Sequence, residues 1–176
     1  MRKKEKKLSA FEKYAGMARS LGARDALVLS SKDVVIDGRT YLKCMYGCKG
    51  WNANWTCPSA PGALKPWEFE PLLRRYAGGV LIHCAEKRAS HEISVKVEAA
   101  AFHDGHYFAF SMSDCALCER CTFPGEPCRD PSRARPAMQG LGIDVFATVR
   151  KFDLPISTLA DRDQQPQNWY SLVMIA

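Results

Sequence analysis

Residues Ser90–His106, SHEISVKVEAAAFHDGH, read two ways, and the choice sets the fold class. Ile93, Val95 and Val97 alternate as in a strand, whereas Ile93, Val97, Ala100 and Ala101 share one helical face. The length of the run and its alanines favour helix. Upstream, GVLIHC (Gly79–Cys84) suits a buried strand, and PWEFEPLLRRYAGG before it suits a helix with Pro66 near its first turn and Gly78 after its end. Downstream, YFAFSMS (Tyr107–Ser113) predicts a strand that opens directly into a cysteine cluster.

The flanks extend this alternation. Phe11, Tyr14, Ala15, Met17, Ala18 and Leu21 recur at helical spacing, with Ser9 as the expected N-cap and Gly22 as the stop. DALVLSSKDVVID (Asp25–Asp37) predicts a strand or hairpin. PSRARPAMQGLGIDVFATVRKF (Pro131–Phe152) predicts helical segments broken by Gly140 and Gly142, and WYSLVMI (Trp169–Ile175) a last strand. The expected fold is α+β: a single domain with a small central β-sheet flanked by helices and two cysteine-rich metal-binding loops. Residues 1–8 are expected to be a basic tail and 9–176 the domain, with cysteine loops at about 39–66 and 113–136.

A chain of 176 residues that is 47% hydrophobic and 25% charged can bury a core without staples. No apolar run approaches the roughly 20 residues of a membrane helix. The N-terminus lacks the apolar segment of a secretion signal, so a reducing cytoplasm is expected. There, eight cysteines are ligands or redox groups sooner than disulfides. The net charge of +6 owes much to Lys3, Lys4, Lys6 and Lys7, with no interleaved aromatics to stack on bases, so no nucleic-acid partner is expected. A basic balance also offsets the charge of thiolate-ligated metal.

Seven cysteines fall into two groups. Cys44, Cys48 and Cys57 are spaced C-x3-C-x8-C, and Cys115, Cys118, Cys121 and Cys128 are spaced C-x2-C-x2-C-x6-C. Three thiolates at two-residue intervals wrap the chain around a corner of a cubane, which points to a 4Fe-4S cluster. Zinc, the alternative, prefers separated knuckles. Cys128 departs from the bacterial ferredoxin run, whose fourth cysteine follows after three residues, and the spacing allows it to serve either cluster. The first group has only three thiolates. Either a fourth ligand such as Cys84 or His83 completes it, or one iron stays open and acts as a Lewis acid. Its spacing is not the CxxxCxxC of radical SAM enzymes.

Other residues read more plainly. Cys84 ends a buried strand and is expected to be a small core hydrophobe. His83, His91, His103 and His106 show no metal-site spacing. Trp51 and Trp55 either shield a cluster from water or pack the loop. Arg129, Arg133 and Arg135 are expected to form a solvated basic face.

The segments KCMYGCKGWNANWTCPSAP (Lys43–Pro61), CALCERCTFPGEPCRDPSRARPAMQGLGIDVFATVRK (Cys115–Lys151) and YSLVMI together resemble the domain-of-unknown-function 2284 family of predicted metal-binding proteins, from about Cys44 to the C-terminus. The resemblance implies metal binding at Cys44, Cys48, Cys57, Cys115, Cys118, Cys121 and Cys128, and gives Cys84 no place. CPSAP lacks the second proline that often follows the first in that family. The resulting expectation is a cytoplasmic protein with one or two 4Fe-4S clusters that exchanges electrons with a partner enzyme. Two alternatives stand beside it: an enzyme that binds and reduces a small molecule at an open iron, and a zinc-binding structural protein or metal or cluster carrier.

Overall fold

The computed structural model, which describes residues 7–158 and 166–175, has a helical turn at 7–9, then helix Glu12–Ser20 (α1) and strand Asp25–Ser30 (β1). There follow helices Arg39–Gly47 (α2) and Pro66–Leu73 (α3), strand Gly78–Cys84 (β2), helix Lys87–His103 (α4) and strand Phe110–Met112 (β3). A 3-10 turn at Gln139–Leu141, helix Val145–Arg150 (α5) and strand Trp169–Ile175 (β4) complete the order. The strands form one antiparallel sheet ordered β1-β2-β4-β3, so the last strand of the chain inserts between β2 and β3.

Strand alternation divides the core into two layers. Val80, Ile82 and Cys84 of β2 join Val173 and Ile175 of β4 under α1 and α4, where Phe11, Tyr14, Ile93, Val97 and Ala101 pack. Leu81, Leu172 and Met174 face the other way, against Phe69, Leu73, Met138, Leu141, Ile143 and Val149. This second face is covered by α3, α5 and the irregular segments. Gly79 permits the close pairing of β2 with β4: a Cβ there would lie 2.1 Å from the Val173 carbonyl oxygen.

The ambiguous stretch Ser90–His106 is helical, as its length and alanines indicate, and Ile93, Val97 and Ala101 form its buried face. Two local expectations are corrected. Ser9 does not cap α1: it belongs to a helical turn at 7–9, and α1 is entered from the buried Phe11, whose carbonyl accepts from Tyr14 N at 2.9 Å. The segment 39–66 is not irregular throughout: its first nine residues are α2, held to the domain by Asp37 N donating to Gly142 O at 2.8 Å and by Asp144 N donating to Val35 O at 2.9 Å. Gly142, at φ +92, is required here, since a Cβ would meet Pro66 Cβ at 2.6 Å. The basic tail falls for the most part outside the described residues. No helix among the described residues is long and apolar enough to cross a membrane.

Candidate metal centre

Both cysteine groups lie beyond the end of the sheet where β2 and β3 finish and α4 begins. Cys44 sits in the last turn of α2, and Cys48 ends that helix in an extended conformation (φ −98°, ψ 121°). A series of turns then carries the chain to Cys57, closed by Trp51 N on Cys48 O at 3.1 Å and by Cys57 N on Asn54 O at 3.0 Å. Asn52 occupies the left-handed region at φ 57, which asparagine tolerates, and its N–H donates to Ser59 Oγ at 3.0 Å. Ser59 Oγ in turn donates to Cys57 Sγ at 2.9 Å, and Gly50 N donates to Cys48 Sγ at 3.3 Å. Donors aimed at sulfur stabilise the thiolate form that a soft metal requires.

The second group runs from the end of β3 through irregular backbone to Pro136. Ser113 N donates to Pro136 O at 2.8 Å, and Arg135 closes the loop onto α4 through Glu98. Arg135 Nε and Nη2 reach the two Glu98 oxygens at 2.8 and 2.7 Å, with both side chains 13% exposed. The expected solvated basic face therefore does not include Arg135, whose guanidinium is an internal clamp. Arg133 pairs with Asp130 of its own loop, and Arg129 is exposed.

The two loops meet. Trp55 Nε1 donates to Glu126 O at 3.0 Å, and its ring stands edge-on to Phe123 with centroids 4.9 Å apart. Of the two roles open to the tryptophans, packing is visible: Trp55 staples loop to loop, and Trp51 packs on Tyr41. Cys44, Cys48 and Cys57 line a cavity of about 220 Å³, and Cys115, Cys118, Cys121 and Cys128 line one of about 270 Å³. Cys115, Asn54, Thr56 and Lys87 line both.

All eight cysteines are free. Burial, reinforced by Cys48, Cys57 and Asp114, pushes the Cys44 thiol up to about 11. Burial also raises Cys115; backbone hydrogen bonds with Leu117 and Arg135 oppose the rise, and Cys128 and Cys118 add to it. Thiols that oppose one another's ionisation form an environment that a cationic metal core neutralises. Among the described residues, no three His, Cys, Asp or Glu side chains form a group able to hold a single metal ion. The thiols line the walls of cavities instead.

Two residues absent from the expectations belong to these cavities. Asp114, next to Cys115 in sequence, lines the three-cysteine cavity, and burial raises its carboxyl pKa against the opposing effects of Lys87 and Gln139. Lys87, the first residue of α4, lines both cavities, so a cation and the positive end of a 17-residue helix stand beside the thiols. A buried strand running into a helix that begins with lysine was the available signal.

The proposed fourth ligands lie elsewhere. Cys84 is 1% exposed in the α1–α4 core layer, as its hydrophobic reading expects. Both His83 nitrogens are engaged, Nδ1 with Asp25 at 2.7 Å and Nε2 with Asn168 at 2.8 Å, and its ring stacks on Tyr170. His91 Nδ1 contacts Ser113 Oγ at 2.8 Å, His103 is exposed at the end of α4, and His106 packs on Phe11 and Tyr14.

Two larger hollows adjoin the thiols. One, of about 730 Å³, is lined by Cys44, Cys48 and Asp114 together with Arg39, Lys43, Asp144 and Trp169. The other, of about 540 Å³, is lined by Trp55, Phe69, Phe110, Leu141, several prolines and Cys128.

The sequence model of a family described as predicted metal-binding protein (DUF2284) matches residues 27–175. The chain belongs to this family. In this DUF2284 protein the match spans all four strands except the first residues of β1, and it includes both cysteine groups. Neither curated proteins nor solved structures provide a match.

Proposed function

We propose that this DUF2284 protein is a cytoplasmic iron–sulfur protein that holds two 4Fe-4S clusters and exchanges single electrons with a partner enzyme. The observation that carries the reading is the pair of adjoining cavities, one lined by Cys44, Cys48 and Cys57 and the other by Cys118, Cys121 and Cys128, with Cys115 and Lys87 common to both. A single zinc ion draws its thiolates to about 2.3 Å, whereas a cubane fills a hollow with its ligands around the walls. Cavities of about 220 and 270 Å³ suit the second arrangement.

When bound, such clusters supply one-electron redox chemistry. The chain's own part is to hold and insulate them. Cys44, Cys48 and Cys57 would ligate the first, and Cys115, Cys118, Cys121 and Cys128 the second. Lys87 and the start of α4 offset thiolate charge, and the hydroxyl of Ser59 and the amide of Gly50 steady individual sulfurs. Trp51 and Trp55 limit water at the walls. Cys48 and Cys118 are exposed, which places both groups near the surface. Beside the first, Leu42, Tyr46 and Trp67 are 54%, 82% and 63% exposed, an apolar rim suited to transient docking.

The test is iron, acid-labile sulfide and zinc content of anaerobically purified protein, with EPR spectra before and after dithionite. About eight irons and eight sulfides per chain with reducible cubane signals are expected. About four irons would reduce the reading to one cluster, and stoichiometric zinc without iron would refute it. A second reading, an enzyme reducing a small molecule, draws on the 730 Å³ hollow that shares Cys44 and Cys48 with the first cavity. A change in the EPR spectrum on adding cyanide would favour it.

A further inference from the structure

The first cavity is lined by Cys44, Cys48 and Cys57 and by Cys115, which it shares with the second; with Cys115 assigned to the second group by its spacing, three thiols remain, one fewer than a cubane has corners. Resting on the iron–sulfur reading above, we infer that Asp114 supplies the fourth ligand, so that the first cluster is held by Cys44, Cys48, Cys57 and a carboxylate. Asp114 is the acidic residue that lines the cavity with those thiols. The alternatives are otherwise engaged: Cys84 is sealed in the core, both His83 nitrogens are bonded, and Cys115, although it borders both cavities, completes the set of Cys118, Cys121 and Cys128 in the second.

The backbone on either side of Asp114 is held firmly. β3 ends at Met112, Ser113 is tied through its N–H to Pro136 O at 2.8 Å and through its hydroxyl to His91, and Cys115 follows directly. Gln139 Nε2 donates to Asp114 Oδ1 at 3.2 Å, and among the described residues Oδ2 accepts no hydrogen bond and the carboxylate forms no ion pair. A half-buried carboxylate that lines a cavity with one long hydrogen bond has an oxygen free to meet a cation there. An iron at the fourth corner is such a cation, and Gln139 then orients the carboxylate in the manner of an outer-shell partner.

The ligand type has a consequence. Oxygen is a harder donor than sulfur and binds a cluster iron less tightly than thiolate does. Asp114 also lines the 730 Å³ hollow, as do Cys44 and Cys48. An iron held by Asp114 would adjoin a space large enough for a small molecule, and a stronger external ligand would displace the carboxylate there sooner than a thiolate.

The experiment compares wild type, Asp114→Ala and Asp114→Cys, each purified anaerobically as the full chain with 57Fe. Wild type should show one iron subsite distinct from the rest by Mössbauer spectroscopy. Asp114→Ala should lose about one iron of eight and show a 3Fe-4S EPR signal in the oxidised state. Asp114→Cys should keep all its iron while the distinct subsite disappears. If Asp114 only packs the loop, the Ala and Cys variants will behave alike, and that result overturns the assignment. Full iron and an unchanged spectrum in Asp114→Ala overturn it as well. Wild type lacking iron–sulfur clusters would instead refute the underlying reading, and the ligand assignment with it, so the two failures are distinguishable.

Discussion

Replacing Arg135 with methionine isolates the clamp that holds the second cysteine loop against α4. In the native protein Glu98 Oε2 accepts from Arg135 Nε at 2.8 Å and from Ser111 N at 2.7 Å, while Oε1 accepts from Arg135 Nη2 at 2.7 Å. Both side chains are 13% exposed. Methionine keeps the packing of the arginine stem but leaves Glu98 with one backbone N–H for a nearly buried charge. Removing one partner of a buried pair costs about 3–5 kcal/mol, and slight exposure puts this case near ~3 kcal/mol. With a urea slope of about 2 kcal/mol per M, the midpoint should fall by about 1.5 M. Arg135→Met combined with Glu98→Gln should recover most of the loss, because the amide oxygen still accepts from Ser111 N and no unpaired charge remains. A midpoint shift below about 0.5 M for the single variant would refute the clamp, since it corresponds to ~1 kcal/mol, the value of an exposed pair.

Two further outcomes are expected. Cys118→Ser should abolish the spectral signature of the second cluster, whereas Cys84→Ala, at a core position, should leave iron content unchanged; full iron retention by the first variant would exclude Cys118 as a ligand. Gly142→Ala should lower stability by at least ~2 kcal/mol, because the residue sits at φ +92 with Pro66 Cβ 2.6 Å from the new methyl, and equal thermal midpoints would contradict this.

Much of the framework could be read locally. The helix at Lys87–His103 follows from its length and alanines, and the central strand from an apolar run ended by glycine on one side. The two cysteine groups were legible because thiolate spacing is itself a chemical constraint. α2 was missed because cysteine, glycine and tryptophan crowd the segment and mask a nine-residue helix that has no buried residue to mark its periodicity. Arg135 looked like one basic residue among three, since nothing near it in sequence announces Glu98, 37 residues away.

The order β1-β2-β4-β3 and the meeting of the cysteine loops belong to another class of fact. Propensity, periodicity and ligand spacing act over a few residues, so they appear in the chain as written. Whether seven thiols line one cavity or two depends on where β4 inserts, how Trp55 crosses to Glu126, and which way Glu98 draws Arg135. The place of Asp114 has the same origin. An aspartate beside a cysteine is unremarkable in sequence, and it becomes a neighbour of Cys44 only when tertiary packing closes a gap of 70 positions. Such contacts are long-range burial and pairing energies summed over the whole fold, and no short stretch of sequence contains them.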